Sequence, residues 1–125
     1  MIKGIGLDIV DISRIERLIH TYDSHFLNKV FTRTEIEYCE THARPSVHYA
    51  GRWAAKEAFY KAIPLSCQKI ATWKSIEVNT IEKGKPVIHL CSEVLQKQLE
   101  EEGITACHIS ISHEKKYCMA WVISE

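Results

Sequence analysis

The sequence predicts an α+β fold: a small antiparallel sheet with helices packed on one face. Three observations lead there. Alternating apolar residues appear near both ends of the 125-residue chain, in "KGIGLDIV" and in the neighbouring runs "CHISISH" and "YCMAWVIS". Helix-start patterns gather in the first half, where "SRIE" and "TRTE" both have the form of a capping box. The order is therefore strand, helices, strands, which segregates helices to one face of an antiparallel sheet.

Each element follows from its residues. In the first strand Ile5, Leu7 and Ile9 share one face, and Gly4 and Gly6 permit close backbone approach. The box from Ser13 to Glu16 predicts a helix starting at Ser13, with Ile15, Leu18 and Ile19 as its apolar stripe and Arg14 and Arg17 on another face. Thr32 to Glu35 starts a second helix. Pro45 breaks the chain before a third, "RWAAKEAFYKAI", which Pro64 ends. "SIEVNTIEKGKPVIHL" reads as two strands joined by a turn around Lys83 to Pro86. "SEVLQKQLEEEG" is a surface helix closing at Gly103. The final hairpin turns at Glu114 to Lys116, with Ile109 and Ile111 facing one way and His108, Ser110 and Ser112 the other.

The length fits one domain spanning residues 1–125. Sixteen basic and sixteen acidic side chains cancel, so no global field points to nucleic acid or to a membrane surface. No apolar run approaches the ~20 residues of a bilayer span. "MIKGIGLDIV" meets an aspartate too early for a signal peptide. Five scattered cysteines without a C-x-x-C pair predict reduced thiols and a cytoplasmic protein, and seven histidines lack zinc-ligand spacing.

Three features carry the chemistry. Asp8 stands among apolar residues where the first strand ends. Glu57 and Lys61 sit i,i+4 in the alanine-rich helix, a spacing that on an exposed helix is ordinarily solvated decoration. His113 closes a strand beside Lys115 and Lys116. Together "GIGLDIVDISRI", "RWAAKEAFYKAI" and "SISHEKKYCMAWVI" resemble the three signature segments of the holo-acyl-carrier-protein synthases, small phosphopantetheinyl transferases, in the same order and at similar spacing.

The resemblance implies a phosphopantetheinyl-transferase-like fold and a definite reaction. The 4′-phosphopantetheine group of coenzyme A moves to a serine of apo acyl carrier protein, leaving adenosine 3′,5′-bisphosphate, as part of fatty acid biosynthesis. It implies that Asp8 and Glu57 hold Mg2+, with Mn2+ as the alternative, and that Lys61 is the catalytic cation on phosphate oxygens. The serine proton goes either to Glu57 or to water on the metal. His113 matches a histidine that binds coenzyme A near its 3′-phosphate, with Arg52 beside it. Lys56, on the Arg52 side of the helix, is expected to reach other phosphates, and Lys85 belongs to the family's G-K-P turn. Arg14 and Arg17 suit an acidic carrier protein, with Lys29, Arg33 and Arg44 as alternatives. Both faces of "YCMAWVIS" are apolar, which predicts an oligomer; the resemblance makes it a homotrimer with active sites between subunits.

The chain departs from the family pattern where "IPLSC" replaces glycines after the lysine helix, at Glu114, and where His20, Asp23 and His25 dilute the basic first helix. Two other readings remain: a non-catalytic coenzyme A- or nucleotide-binding regulatory module, and an adaptor whose charged helix is decoration.

Overall fold

A computed structural model describes residues 1–125. Strand β1 (Gly4–Asp11) leads into α1 (Ile12–Val30), α2 (Arg33–Glu40), the long α3 (Pro45–Ala62) and the single turn α4 (Leu65–Gln68). The hairpin β2 (Ile76–Thr80) and β3 (Pro86–Leu90) follows, then α5 (Glu93–Glu101) and the hairpin β4 (Cys107–His113) and β5 (Tyr117–Ser124). The fold is α+β, as expected, but the strands divide into two sheets. One is antiparallel in the order β1-β5-β4 and the other is the β2-β3 hairpin alone; β3 packs beside β4 without laddering to it.

Local chemistry explains most boundaries. Thr32 and Glu35 form the predicted reciprocal capping box. Pro45 occupies the first turn of α3, where its missing N–H is harmless. Gly84 and Gly103 adopt φ of 74° and 77°, the left-handed values their turn and helix-end positions require. The start of α1 corrects the sequence reading. Asp11, not Ser13, is the N-cap, accepting hydrogen bonds from the backbone N–H and the hydroxyl of Ser13 at 2.9 and 2.7 Å. Glu16, freed from capping, instead meets Arg44 and Ser46 at the start of α3. The sequence "IPLSC", where glycines were the family expectation, ends α3 at Ile63 and begins α4 at Leu65.

The helices cover one face of the three-stranded sheet, with α3 lying across β1 and β5. A Cβ on Gly6 would sit 1.8 Å from the Ala58 carbonyl oxygen, and one on Gly4 would sit 2.1 Å from that of Ala62. The two glycines let α3 rest directly on the strand. The inner face is completed by Val10, Cys118, Ala120 and Val122, all buried. Ile5, Leu7 and Ile9 therefore point outward. They stand opposite Ile123, Trp121 and Met119 in the β1-β5 register. Trp121 and Ile9 are 51% and 58% exposed, so the larger side chains of the sheet lie on its uncovered face.

Candidate active site

The close seat of α3 on β1 assembles the first group of predicted residues. Asp8 shares the inward face of β1 with Gly6, two residues on. The Lys61 ammonium, from the last turn of α3, donates to the Leu7 carbonyl at 3.0 Å and pairs with Asp8 Oδ1 at 3.2 Å. Lys61 thus turns to the strand instead of closing an i,i+4 pair with Glu57. Burial, and then the charge of Asp8, push the Glu57 carboxyl above the ordinary carboxylate range, against the pull of Lys61 and Arg14. Two carboxylates and two cations therefore share one corner. A cavity of about 270 Å³ adjoins it, lined by Glu57, Tyr60, Thr72 and Trp73 among others.

Arg14 lies on the rim of this corner, its guanidinium 5.9 Å from the centre of the Trp53 ring. Trp53 stacks on Trp73 at 4.5 Å, an aromatic wall that sequence reasoning did not single out. Arg17 bends back to the Ser13 hydroxyl at 3.4 Å. Two of the three alternative docking cations are engaged, Arg33 with Glu37 and Arg44 with Glu16, while Lys29 makes no ion pair.

A second group lies across α3. Nine residues make about 2.5 turns of helix, so Arg52 points away from Lys61. The Arg52 guanidinium donates to Thr80 Oγ1 at 3.0 Å and lies over the Tyr38 ring. His113 ends β4, and its charge is felt at His48 on α3. Lys85 is exposed in the β2-β3 turn, whose flanking pair is Thr80 and Pro86.

Lys56 belongs to neither group, which corrects the expectation that it reaches a phosphate. It is 3% exposed, and its ammonium meets Glu35 Oε1 at 2.7 Å and the carbonyls of Trp73, Val30 and Ile76 at 2.7, 2.9 and 3.1 Å. No donor remains for a ligand. Glu35, which sequence reasoning saw only as a cap, also accepts the Val78 N–H at 2.8 Å. The pair ties α2, α3 and β2 together. Its signal was a charged residue at a capping-box position facing a lysine on the buried stripe of the next helix.

A model of the 4′-phosphopantetheinyl transferase superfamily matches residues 4–122. The holo-[acyl-carrier-protein] synthase of Syntrophus aciditrophicus is 43% identical over all 125 residues, covering 97% of that protein, and that of Halothermothrix orenii is 42% identical, covering 98%. Among solved structures, the Neisseria meningitidis holo-[acyl-carrier-protein] synthase superposes with a TM-score of 0.87 at 33% identity, covering all of this chain and 99% of that one. The Helicobacter pylori enzyme in complex with coenzyme A gives 0.80 at 29%, covering 97% and 99%. The chain belongs to the 4′-phosphopantetheinyl transferase superfamily. Within it, the full-length match places the chain among the holo-[acyl-carrier-protein] synthases, and it is an enzyme of phosphopantetheinyl transfer.

Proposed function

We propose that the chain transfers 4′-phosphopantetheine from coenzyme A to a serine of an apo acyl carrier protein, releasing adenosine 3′,5′-bisphosphate. The observation that carries this is the meeting of Asp8, Glu57 and Lys61 where β1 and α3 touch. The donor set fits Mg2+, with Mn2+ as the alternative. Two hard carboxylates face each other with no third carboxylate, histidine or cysteine in reach, and such an ion completes its shell with phosphate and water oxygens. Bound between Asp8 and Glu57, it would neutralise charge on the diphosphate.

The chain's own side chains supply the rest. Lys61 is held by Leu7 and Asp8 with its ammonium at the corner, placed to take phosphate oxygens during attack at phosphorus. Glu57, at the same corner, is the chain's own candidate to accept the serine proton, with water at the metal as the alternative acceptor. Arg14, on the rim, meets acidic residues of the carrier protein, with Arg17 behind it. The cavity beside Glu57 suits the pantetheine arm. Arg52 and His113, with Lys85 nearby, take the nucleotide end of coenzyme A.

Arg52 and Lys61 point to opposite sides of α3, which favours a coenzyme A that meets the two groups on neighbouring chains. The uncovered face of Ile5, Leu7, Ile9, Met119 and Trp121 supports a homotrimer in which sites form between subunits. The test of the reading is transfer itself. Incubation with coenzyme A, Mg2+ and apo carrier protein should add one phosphopantetheine group to the carrier by intact mass, and Lys61→Ala should slow this strongly. A protein that binds coenzyme A without modifying any carrier protein overturns it in favour of a binding module.

A further inference from the structure

The corner between α2 and α3 gathers Arg52, His42, His48 and His113, none of them in an ion pair. Arg52 is only 5% exposed yet pairs with no carboxylate. Beyond its bond to Thr80 it has the Tyr38 ring 4.0 Å away, and its Nε has no partner. A buried guanidinium without a counter-ion is costly, and a face-on aromatic ring offsets only part of that cost. Beside it the rings of His42 and His48 stack with centroids 3.7 Å apart, both against Tyr38. Neither histidine is assigned a role by the family pattern quoted above.

The hydrogen bonds fix what this stack can do. His42 Nδ1 lies 2.8 Å from the Tyr38 carbonyl oxygen, which can only accept. Nδ1 therefore carries the hydrogen, and Nε2 is left to gain one. The groups acting on the stack are Arg52 and His113, both basic, with the Tyr38 ring packed against it; Glu40, the last residue of α2, turns to the Tyr49 hydroxyl at 2.8 Å. Burial first, then the charges of His42, Arg52 and His113, hold His48 below the ordinary imidazole range, so it is neutral near pH 7 in the free protein. A dianion placed among these groups reverses that balance.

We propose that the His42–His48 stack completes, with Arg52, a subsite for a phosphate monoester dianion, and that the stack takes up a proton from solvent when the dianion binds. The inference rests on coenzyme A being the donor, whose 3′-phosphate is such a group. It assigns to this corner the discrimination between coenzyme A and dephospho-coenzyme A. Two adjacent imidazolium ions repel, so the uptake is limited to about one proton.

Calorimetric titration of the assembled protein at pH 7.5, in two buffers of different ionisation enthalpy, tests this. A phosphate monoester has lost its second proton at that pH, since that pKa is about 6, so any uptake belongs to the protein. Coenzyme A should bind with measurable proton uptake and dephospho-coenzyme A with none. His48→Gln and His42→Gln should abolish the uptake and weaken coenzyme A by about tenfold, the loss expected for one charge-assisted hydrogen bond, with dephospho-coenzyme A unchanged. Equal uptake for both ligands overturns the proposal, as does uptake that survives in both variants. The wild-type comparison of the two ligands stands even if a variant fails to fold. If coenzyme A does not bind at all, the donor reading fails separately. Adenosine 3′,5′-bisphosphate binding with proton uptake then still supports the subsite, and its failure to do so overturns it.

Discussion

Replacing Lys56 by methionine isolates what the buried ion pair contributes. The methionine stem occupies the same channel, so no cavity opens; only the ammonium is removed. Glu35, 1% exposed, then keeps its hydrogen bonds from the Thr32 and Val78 N–H groups but loses its counter-charge, and the carbonyls of Val30, Trp73 and Ile76 lose a shared donor. Removing one partner of a buried pair costs about 3–5 kcal/mol, a large part of the ~5–15 kcal/mol that holds a typical domain folded. Urea denaturation at fixed protein concentration, followed by tryptophan fluorescence, measures it, because Trp53 and Trp73 stack beside this lysine. The double variant Lys56→Met, Glu35→Gln removes both charges but turns an amide NH2 toward the Thr32 or Val78 N–H, so only part of the loss should return. A single-variant loss below about 1 kcal/mol refutes the assignment of these residues as an interior clamp. In the protein that does fold, affinity for coenzyme A should be unaltered.

Four further outcomes are expected. Glu57→Gln should lower turnover by orders of magnitude yet raise the metal-free denaturation midpoint at neutral pH. The folded-state pKa of Glu57 is raised, so its ionised form opposes folding, and the gain should vanish as pH falls below the ordinary glutamate range. Arg14→Glu should raise KM for the carrier protein more than for coenzyme A, and added salt should reproduce part of this; equal effects on both substrates would remove Arg14 from docking. Trp121→Glu should abolish assembly and activity together, checked by light scattering against three times 14.4 kDa. Gly6→Ala should destabilise the fold by more than about 2 kcal/mol, because its methyl group would press on the backbone of α3; a neutral result in thermal melts would show that the helix shifts freely.

Much of this was legible because short-range chemistry wrote it. The Thr32–Glu35 box, Pro45, Pro64 and Gly103 set helix ends within a few residues of where they fall, and the double alternation of "YCMAWVIS" showed two apolar faces before any partner strand was known. Asp8, Glu57 and Lys61 were readable from the motif, but their meeting depends on two glycines letting α3 rest on β1. Lys56 and Lys61 look alike in sequence. Five residues of helix turn them to different sides, one toward Glu35 in the interior and one toward Asp8 at the surface, and only the packing of α2 separates a clamp from the proposed catalytic cation. The α1 cap was misread for a related reason: the strand end fixed Asp11 in the capping position before Ser13 could occupy it. His42 and His48 were not seen as a pair, since the turn before Pro45 brings two helices together that the sequence presents in line.

The glycines of β1 also decide the order of events when the chain matures. Because α3 closes the inner face of the sheet within one chain, using small residues and its own backbone, the core needs nothing from a second copy to form. The bulky outer face is left as a completed but sticky product. In the proposed homotrimer, association through that face would be a second-order step following a first-order one, and refolding should show an early phase independent of protein concentration and a later one that accelerates with it. At low concentration the folded single chain would keep its helices in place and its outer sheet exposed, an apolar patch open to other surfaces.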